Sequence, residues 1–176
     1  MLPSVDELKA AVERGVAGVA LQVDGRRLVV EAKDLARVCR FLKDAPEYAL
    51  DDLANLTAVD YLPDPATPTG ARPDPTSSER AGGAGRIDMI YQLYSMAQKH
   101  GPVTLRVTLP RAHPTVASVT PIWRGAEFQE REVYDLYGVA FEGHPDLRRI
   151  LMWDGFEGHP MRKGYVVEDQ DAPADR

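Results

Sequence analysis

Glu130 with Glu132, His144 with His159, and the basic pairs Arg148-Arg149 and Arg162-Lys163 are the groups in this sequence best suited to chemistry. Neighbouring carboxylates can share a proton and act as acid and base. Two residues apart on a helix, however, Glu130 and Glu132 point to different sides, so a shared proton is not expected. His144 and His159 have matching surroundings, because Phe-Glu-Gly-His-Pro occurs at both Phe141–Pro145 and Phe156–Pro160. A metal site needs three or four convergent ligands, and no cysteine lies near either histidine. Hydrogen-bonded turn histidines are the expectation, each held extended by the proline after it, Pro145 or Pro160. The four basic side chains could hold an anion or a lipid headgroup. Five acids from Asp135 to Glu157 make salt bridges, internal or to a partner, the expected use instead.

The rest of the chain offers little more. Cys39 is the only cysteine, so a disulfide framework and a cysteine-ligated zinc or iron–sulfur site within the chain are excluded. It lies on an apolar helical stripe and is expected in the core. Gly82-Gly83-Ala84-Gly85 is not followed by the Gly-Lys-Ser/Thr that a phosphate loop requires. A net charge of −6 without a basic block argues against nucleic acid. No apolar run approaches the roughly 18 residues of a membrane span. Asp6 and Glu7 stand where a signal peptide would carry positive charge. No catalytic, cofactor-binding or metal-binding residue is expected.

The elements that must position these groups follow from periodicity. Ala126, Gln129, Val133, Tyr134, Leu136 and Tyr137 share one arc of a helix that Gly138 should end. Glu127, Arg131 and Asp135 lie outside the arc and should form two i,i+4 ion pairs. Glu130 falls inside it, so it needs protonation or an arginine, with Arg148, Arg149 and Arg162 as candidates. Residues 139–165 lose helical period and should form an extended docking arm apart from an α+β domain of residues 1–138, with an acidic tail over 166–176.

Within that domain, Ser4 and Glu7 form a capping box before a first helix. Asp24-Gly25 should join strands Val16–Val23 and Arg26–Val30 in a hairpin. Residues 33–44 form an amphipathic helix, and Leu53–Tyr61, Ile87–Met96 and Val103–Leu109 read as strands, the last two paired antiparallel. Thr120-Pro121 should open the next helix, with Gly125 kinking or splitting it. Residues 62–85 hold five prolines and four glycines and should be a flexible loop. The expected fold is α+β: a mixed or antiparallel sheet with helices on one face, plus the extended C-terminal arm.

Glu130-Arg131-Glu132, Tyr134-Asp135-Leu136-Tyr137-Gly138, Gly143-His144-Pro145-Asp146-Leu147-Arg148-Arg149-Ile150-Leu151 and Gly158-His159-Pro160-Met161-Arg162-Lys163 together resemble a family signature. It is that of the C subunit of the proton-pumping NADH–quinone oxidoreductase, respiratory complex I. Counterparts are the J subunit of the photosynthetic complex and related subunits of membrane-bound hydrogenases. The resemblance is looser from Leu53 to Leu109, and Gly164 stands where the family usually has Asp, which bears on local charge.

The resemblance implies a cofactor-free peripheral subunit on the cytoplasmic side of the inner or cell membrane, reaching the membrane only through the complex. It would pack on the D subunit of the quinone module and near the B subunit, which holds an iron–sulfur cluster. NADH, FMN, iron–sulfur clusters and quinone would belong to partner subunits. Glu130, Arg131, Glu132, Tyr134, Asp135, His144, Pro145, Arg148, Arg149, Leu151, Trp153, His159, Pro160, Arg162 and Lys163 would be structural or interface residues. Electron donors other than NADH stay open, since a ferredoxin-fed photosynthetic complex or a hydrogenase would use a similar subunit. The alternative from another class is a free-standing module in which residues 62–85 capture a ligand or peptide.

Shortening residues 62–85 to a few Gly/Ser residues is expected to change the melting temperature little, because loop-closure entropy varies slowly with length. Calorimetry together with a complex-assembly assay checks this. A large loss in either would make the stretch a docking element.

Overall fold

The computed structural model describes residues 3–63 and 85–166. The acidic tail and most of the proline- and glycine-rich stretch 62–85 lie outside them. Helix α1 (Val5–Gly15) opens on the expected capping box: the Ser4 N–H donates to Glu7 Oε2 (2.7 Å) and the Glu7 N–H to Ser4 Oγ (3.3 Å). Its buried stripe is Leu8, Ala11 and Val12. A hairpin of β1 (Gln22–Asp24) and β2 (Arg27–Val29) turns on Asp24-Gly25, with Gly25 at φ 59°.

Strand β1 is shorter than the run of β-formers from Val16. The Val19 N–H bonds to the Val16 carbonyl, and the Leu21 N–H donates to Glu13 Oε1 at 2.8 Å. Donors that a ladder would need are therefore engaged locally, while Val19 and Leu21 are still buried.

Helix α2 (Leu35–Asp44) buries Leu35, Val38, Cys39 and Leu42. Strands β3 (Asp52–Tyr61), β4 (Arg86–Ser95) and β5 (His100–Pro110) follow, the last two antiparallel as their alternation demands. The sheet order is β1-β2-β5-β4-β3, and the parallel β2–β5 pairing makes it mixed. With three helices and this sheet the fold is α+β. One sheet face, carrying Ile87, Met89, Tyr91, Leu93, Leu105 and Val107, shares a single core with the stripes of α1 and α2.

The other face buries charge. Arg86 Nε lies 3.2 Å from Asp88 Oδ1, Arg106 Nη1 lies 2.7 Å from Asp24 Oδ2, and Thr108 Oγ1 donates to Asp88 Oδ1 at 2.8 Å. Charged side chains on this face are tolerated because they are paired.

Helix α3 (Ala126–Tyr137) starts six residues after Thr120, where the sequence suggested a start. The residues between are held in turns: the Ile122 and Trp123 N–H groups both donate to the Val119 carbonyl, and Trp123 Nε1 is anchored on the Leu50 carbonyl at 2.9 Å. Gly125 is therefore the residue before the helix rather than a kink within it.

Helix α3 lies against the outer edge of β3, where the strand register shifts between Leu53 and Asn55. There Gln129 acts as a missing neighbour strand: its Oε1 accepts from the Leu56 N–H (2.5 Å) and its Nε2 donates to the Leu53 carbonyl (3.4 Å). Strand β6 (Thr115–Ala117) pairs in parallel with β7 (Ala140–Glu142), and Val139 and Phe141 join the core. The core thus passes the boundary expected at Gly138 and ends within the first Phe-Glu-Gly-His-Pro. Among the described residues no helix is long and apolar enough to cross a membrane.

The Tyr91 hydroxyl is buried with no hydrogen-bond partner. Tyr91→Phe removes an unsatisfied donor without emptying the ring's site. Stability by chemical denaturation is expected to stay equal or rise by up to about 1 kcal/mol.

Candidate functional site

Helix α3 leaves its last four carbonyls without intrahelical partners, as any helix does. Here each is bonded from beyond the helix. The Tyr134 carbonyl takes the Gly138 N–H (2.9 Å), the Asp135 carbonyl takes His159 Nδ1 (3.0 Å), the Leu136 carbonyl takes the Met161 N–H (3.1 Å), and the Tyr137 carbonyl takes Arg162 Nε (2.6 Å). Three of these four donors come from the arm, which therefore acts as the C-terminal cap of α3. The guanidinium groups of Arg149 and Arg162 also suit the negative end of the helix dipole. Gly138 makes the closure possible. Its φ of 68° favours glycine, and a Cβ there would collide with the His159 ring.

The strongest tie between helix and arm is Asp135, fully buried. Its Oδ2 accepts the N–H groups of Ile150 (3.0 Å), Leu151 (2.7 Å) and Met152 (2.8 Å), and its Oδ1 receives Arg149 Nη1 (2.7 Å). Burial alone would raise this carboxyl. The bonds from Met152, Arg149, Leu151 and Ile150 outweigh it and hold the group below the usual carboxylate range. Arg131, also buried, donates from Nε to the Arg148 carbonyl (3.1 Å) and from Nη2 to the Arg149 carbonyl (3.0 Å). The i,i+4 pairs expected among Glu127, Arg131 and Asp135 are not formed. Arg131 and Asp135 lie about 40° apart on the helix, and the arm covers the face they share.

The repeated pentapeptide has one task at two places. Gly143 (φ 81°) and Gly158 (φ 87°) turn the chain, and the histidine after each bonds to a backbone carbonyl of α3. His144 Nε2 donates to the Glu127 carbonyl (3.0 Å), as His159 Nδ1 does to that of Asp135 (3.0 Å). His144 also accepts the Asp146 N–H on Nδ1 (3.0 Å). Burial pushes His159 below the ordinary histidine range. Both are the turn histidines that the sequence suggested, and among the described residues no three His, Cys, Asp or Glu converge as a metal site would require.

Glu130 was expected to need protonation or an arginine, and among the described residues no arginine reaches it. Its Oε1 accepts the Val119 N–H (2.7 Å), and its Oε2 accepts the hydroxyls of Ser118 (2.6 Å) and Thr120 (3.0 Å). Arg149 is on Asp135, Arg162 on the Tyr137 carbonyl, and Arg148 on Asp146 at 2.8 Å. Glu130 points about 140° away from Asp135 around the helix, into the core instead of the arm. Nothing in the sequence pattern marked Ser118 and Thr120 as its partners, because hydroxyls in a turn signal only a turn.

Glu132 is exposed, Tyr134 half-buried against the core, Pro145 exposed and Pro160 half-buried. The Lys163 N–H donates to Asp60 Oδ2 (2.8 Å), and its carbonyl takes Arg111 Nη2 (2.8 Å). Arg111 grips the same Asp60 from Nε at 2.7 Å. No local pattern signals this pin between β3, β5 and the arm, since its partners lie 103 and 52 residues from Lys163. Facing outward are Leu151 (57 % exposed), Trp153 (47 %) and Met161 (54 %), with Phe156 set edge-on against Trp153 at 4.9 Å. The arm is therefore bonded to α3 on one side and apolar on the other. Such an arrangement can bind and position.

Residues 28–171 match the family described as "Respiratory-chain NADH dehydrogenase, 30 Kd subunit". The second C subunit of NADH-quinone oxidoreductase from Rhizobium meliloti is 40 % identical over 78 % of this chain and 64 % of its own length. This chain thus spans less than two thirds of that relative. The C subunit of NADH-quinone oxidoreductase from Moorella thermoacetica is 39 % identical over 84 % of both. Among solved structures, a chain of the membrane-bound sulfane sulfur reductase, an archaeal respiratory membrane complex, shares the fold. It has a TM-score of 0.57 and 22 % identity over 85 % of this chain and 77 % of that one.

Asp135→Ala is expected to lower stability by about 2–3 kcal/mol, since it strands an arginine and three N–H groups. Trypsin should then cut rapidly after Arg148 and Arg149. A carboxyl whose folded value lies below its ordinary 3.8 stabilises above that pH, and the contribution disappears as pH falls through the lowered value. Acid titration of the wild-type chain and Asp135→Ala should show the two converging at low pH.

Proposed function

The chain belongs to the family of the respiratory-chain NADH dehydrogenase 30 Kd subunit, and from this we propose that it is a cofactor-free, non-catalytic subunit of a quinone-reducing, proton-translocating complex. Its work is to hold the quinone-reducing module together from the membrane's cytoplasmic side. Its partners are the D and B subunits of such complexes, and these carry the quinone site and the terminal iron–sulfur cluster. Family membership favours NADH as the electron donor over ferredoxin or hydrogen.

The observation that carries this reading is the two-sided arm. Asp135, Arg131, His159, Met161 and Arg162 tie the arm inward to α3, and Lys163 ties it to the sheet, while Leu151, Trp153 and Met161 face out with their side chains. An exposed apolar group on a tied-down support, with Arg148, Glu132 and Lys163 exposed on the same arm and helix, is the anatomy of a docking surface. Its rigidity comes from Asp135 and the capped helix end, so little ordering is left to oppose binding.

Trp153→Ala with Leu151→Ala tests the proposal. Among the inward ties described, residue 151 contributes only its backbone N–H and residue 153 contributes none, so the isolated chain should keep its circular dichroism. Truncating a central tryptophan commonly costs 2 kcal/mol or more, roughly thirtyfold in affinity, so the amount of assembled complex should fall, by up to about that factor when the free partners are below the Kd. Turnover per assembled complex should stay normal. Normal assembly with lost turnover would move the arm into the quinone chemistry. A chain that never co-purifies with a membrane complex would be the free-standing binding module instead.

A further inference from the structure

Glu130 and its surroundings are not used by the docking surface. Its side chain is fully buried, and the only cationic group within ion-pair distance among the described residues is His144, whose Nε2 stands 4.0 Å from Oε2 with its side chain also fully buried. The carboxylate joins three parts of the chain: α3, the turns before it through Ser118, Val119 and Thr120, and the arm through His144. From α2 the Cys39 thiol faces it, and from β4 the Tyr91 phenol. Both are driven upward by burial first and by neighbouring negative charge second, so neither supplies a cation. On α3 itself Arg131 turns away to the Arg148 and Arg149 carbonyls, and Asp146 of the arm is engaged by Arg148. A negative charge placed here has no permanent counter-ion.

The hydrogen bonds decide where a proton can be added. On His144 it would sit on Nδ1, which already accepts the Asp146 N–H at 3.0 Å. Donor would then face donor, and the turn that carries the arm away from the core would break. On Glu130 it would sit on Oε2, between the Ser118 and Thr120 hydroxyls at 2.6 and 3.0 Å. Either hydroxyl can rotate from donor to acceptor, and the Val119 N–H keeps its place on Oε1. The site accepts a proton on the glutamate without losing a bond.

We propose that Glu130 is a buried proton-binding site at the joint between the core, the turns before α3 and the arm, and that this joint is firmest with the proton on Glu130 and His144 in its Nε2–H form. Burial raises the Glu130 carboxyl above its ordinary 4.5, and the bonds from Ser118, Val119 and Thr120, with His144, oppose this without cancelling it. A folded-state value above the unfolded one gives stabilisation that is complete below pH 4.5 and is lost as pH rises through the raised value. Acid therefore tightens this joint, whereas it loosens the Asp135 tie further along the helix, whose carboxyl is shifted the other way.

The experiment compares the full chain with Glu130→Gln, whose amide can accept from Val119 and donate to a hydroxyl. The melting temperatures should lie close together near pH 4.5 and diverge as pH rises, with the variant becoming the more stable. In the wild-type chain, the NMR signal of the Glu130 side-chain carboxyl carbon should titrate above pH 4.5. A Glu130 midpoint at or below 4.5, or a constant offset between the two proteins at every pH, overturns the proposal. Should the variant fail to fold, the wild-type titration alone decides.

Discussion

The end of α3 is buried under the polypeptide that follows it, and a buried carbonyl must find a donor. Much of the C-terminal structure follows from that requirement. Leaving the carbonyls of Asp135, Leu136 and Tyr137 bare under the arm would cost on the order of 1–3 kcal/mol each. His159, Met161 and Arg162 supply the donors, and they can do so because Gly138 adopts a left-handed conformation and leaves room for the His159 ring. A segment without helix or long strand is thereby tied to the domain it lies on.

The buried acids of α3 show how the surroundings assign partners. Asp135 faces the arm, where three successive N–H groups and a guanidinium converge, and it stays ionised. Glu130 faces the core, where among the described residues hydroxyls, one N–H and the His144 ring are close, and the balance shifts toward the acid. Both are carboxylates on one helix. Their difference lies in what the rest of the chain brings to each face, which is the usual origin of divergent titration in one fold.

These two anchors also explain how a stretch with so many apolar groups can present them outward. Peptide groups and charges consume the inner side, so Leu151, Trp153 and Met161 are left on the outside of a fixed support. A member of a multi-protein respiratory complex needs that combination: an ordered surface that is apolar at its centre and polar around it. The long β3 edge is treated in the opposite way, covered from within by Gln129 so that it does not recruit another strand there.

Most of the elements were legible in the sequence because their causes are local. Alternation marked β4 and β5, the spacing of Leu35, Val38, Cys39 and Leu42 marked α2, Asp24-Gly25 marked the first turn, and the repeated Phe-Glu-Gly-His-Pro marked two turns carrying hydrogen-bonded histidines. The motifs around Glu130, Asp135, His144 and His159 also pointed to the family. The partners of the charged groups were not legible. Arg131 and Asp135 read as a solvated pair because periodicity reports the face that meets the core and is silent about a second face covered later by the chain itself. For Glu130 the sequence left protonation and an arginine both open, because sequence reports which charges exist, not which way a helix turns them. Asp60, Arg111 and Lys163 meet only through the sheet register and the path of the arm. Contacts between residues far apart in the chain depend on tertiary packing, and tertiary packing alone decided which charges were buried, which were paired and which apolar side chains faced outward.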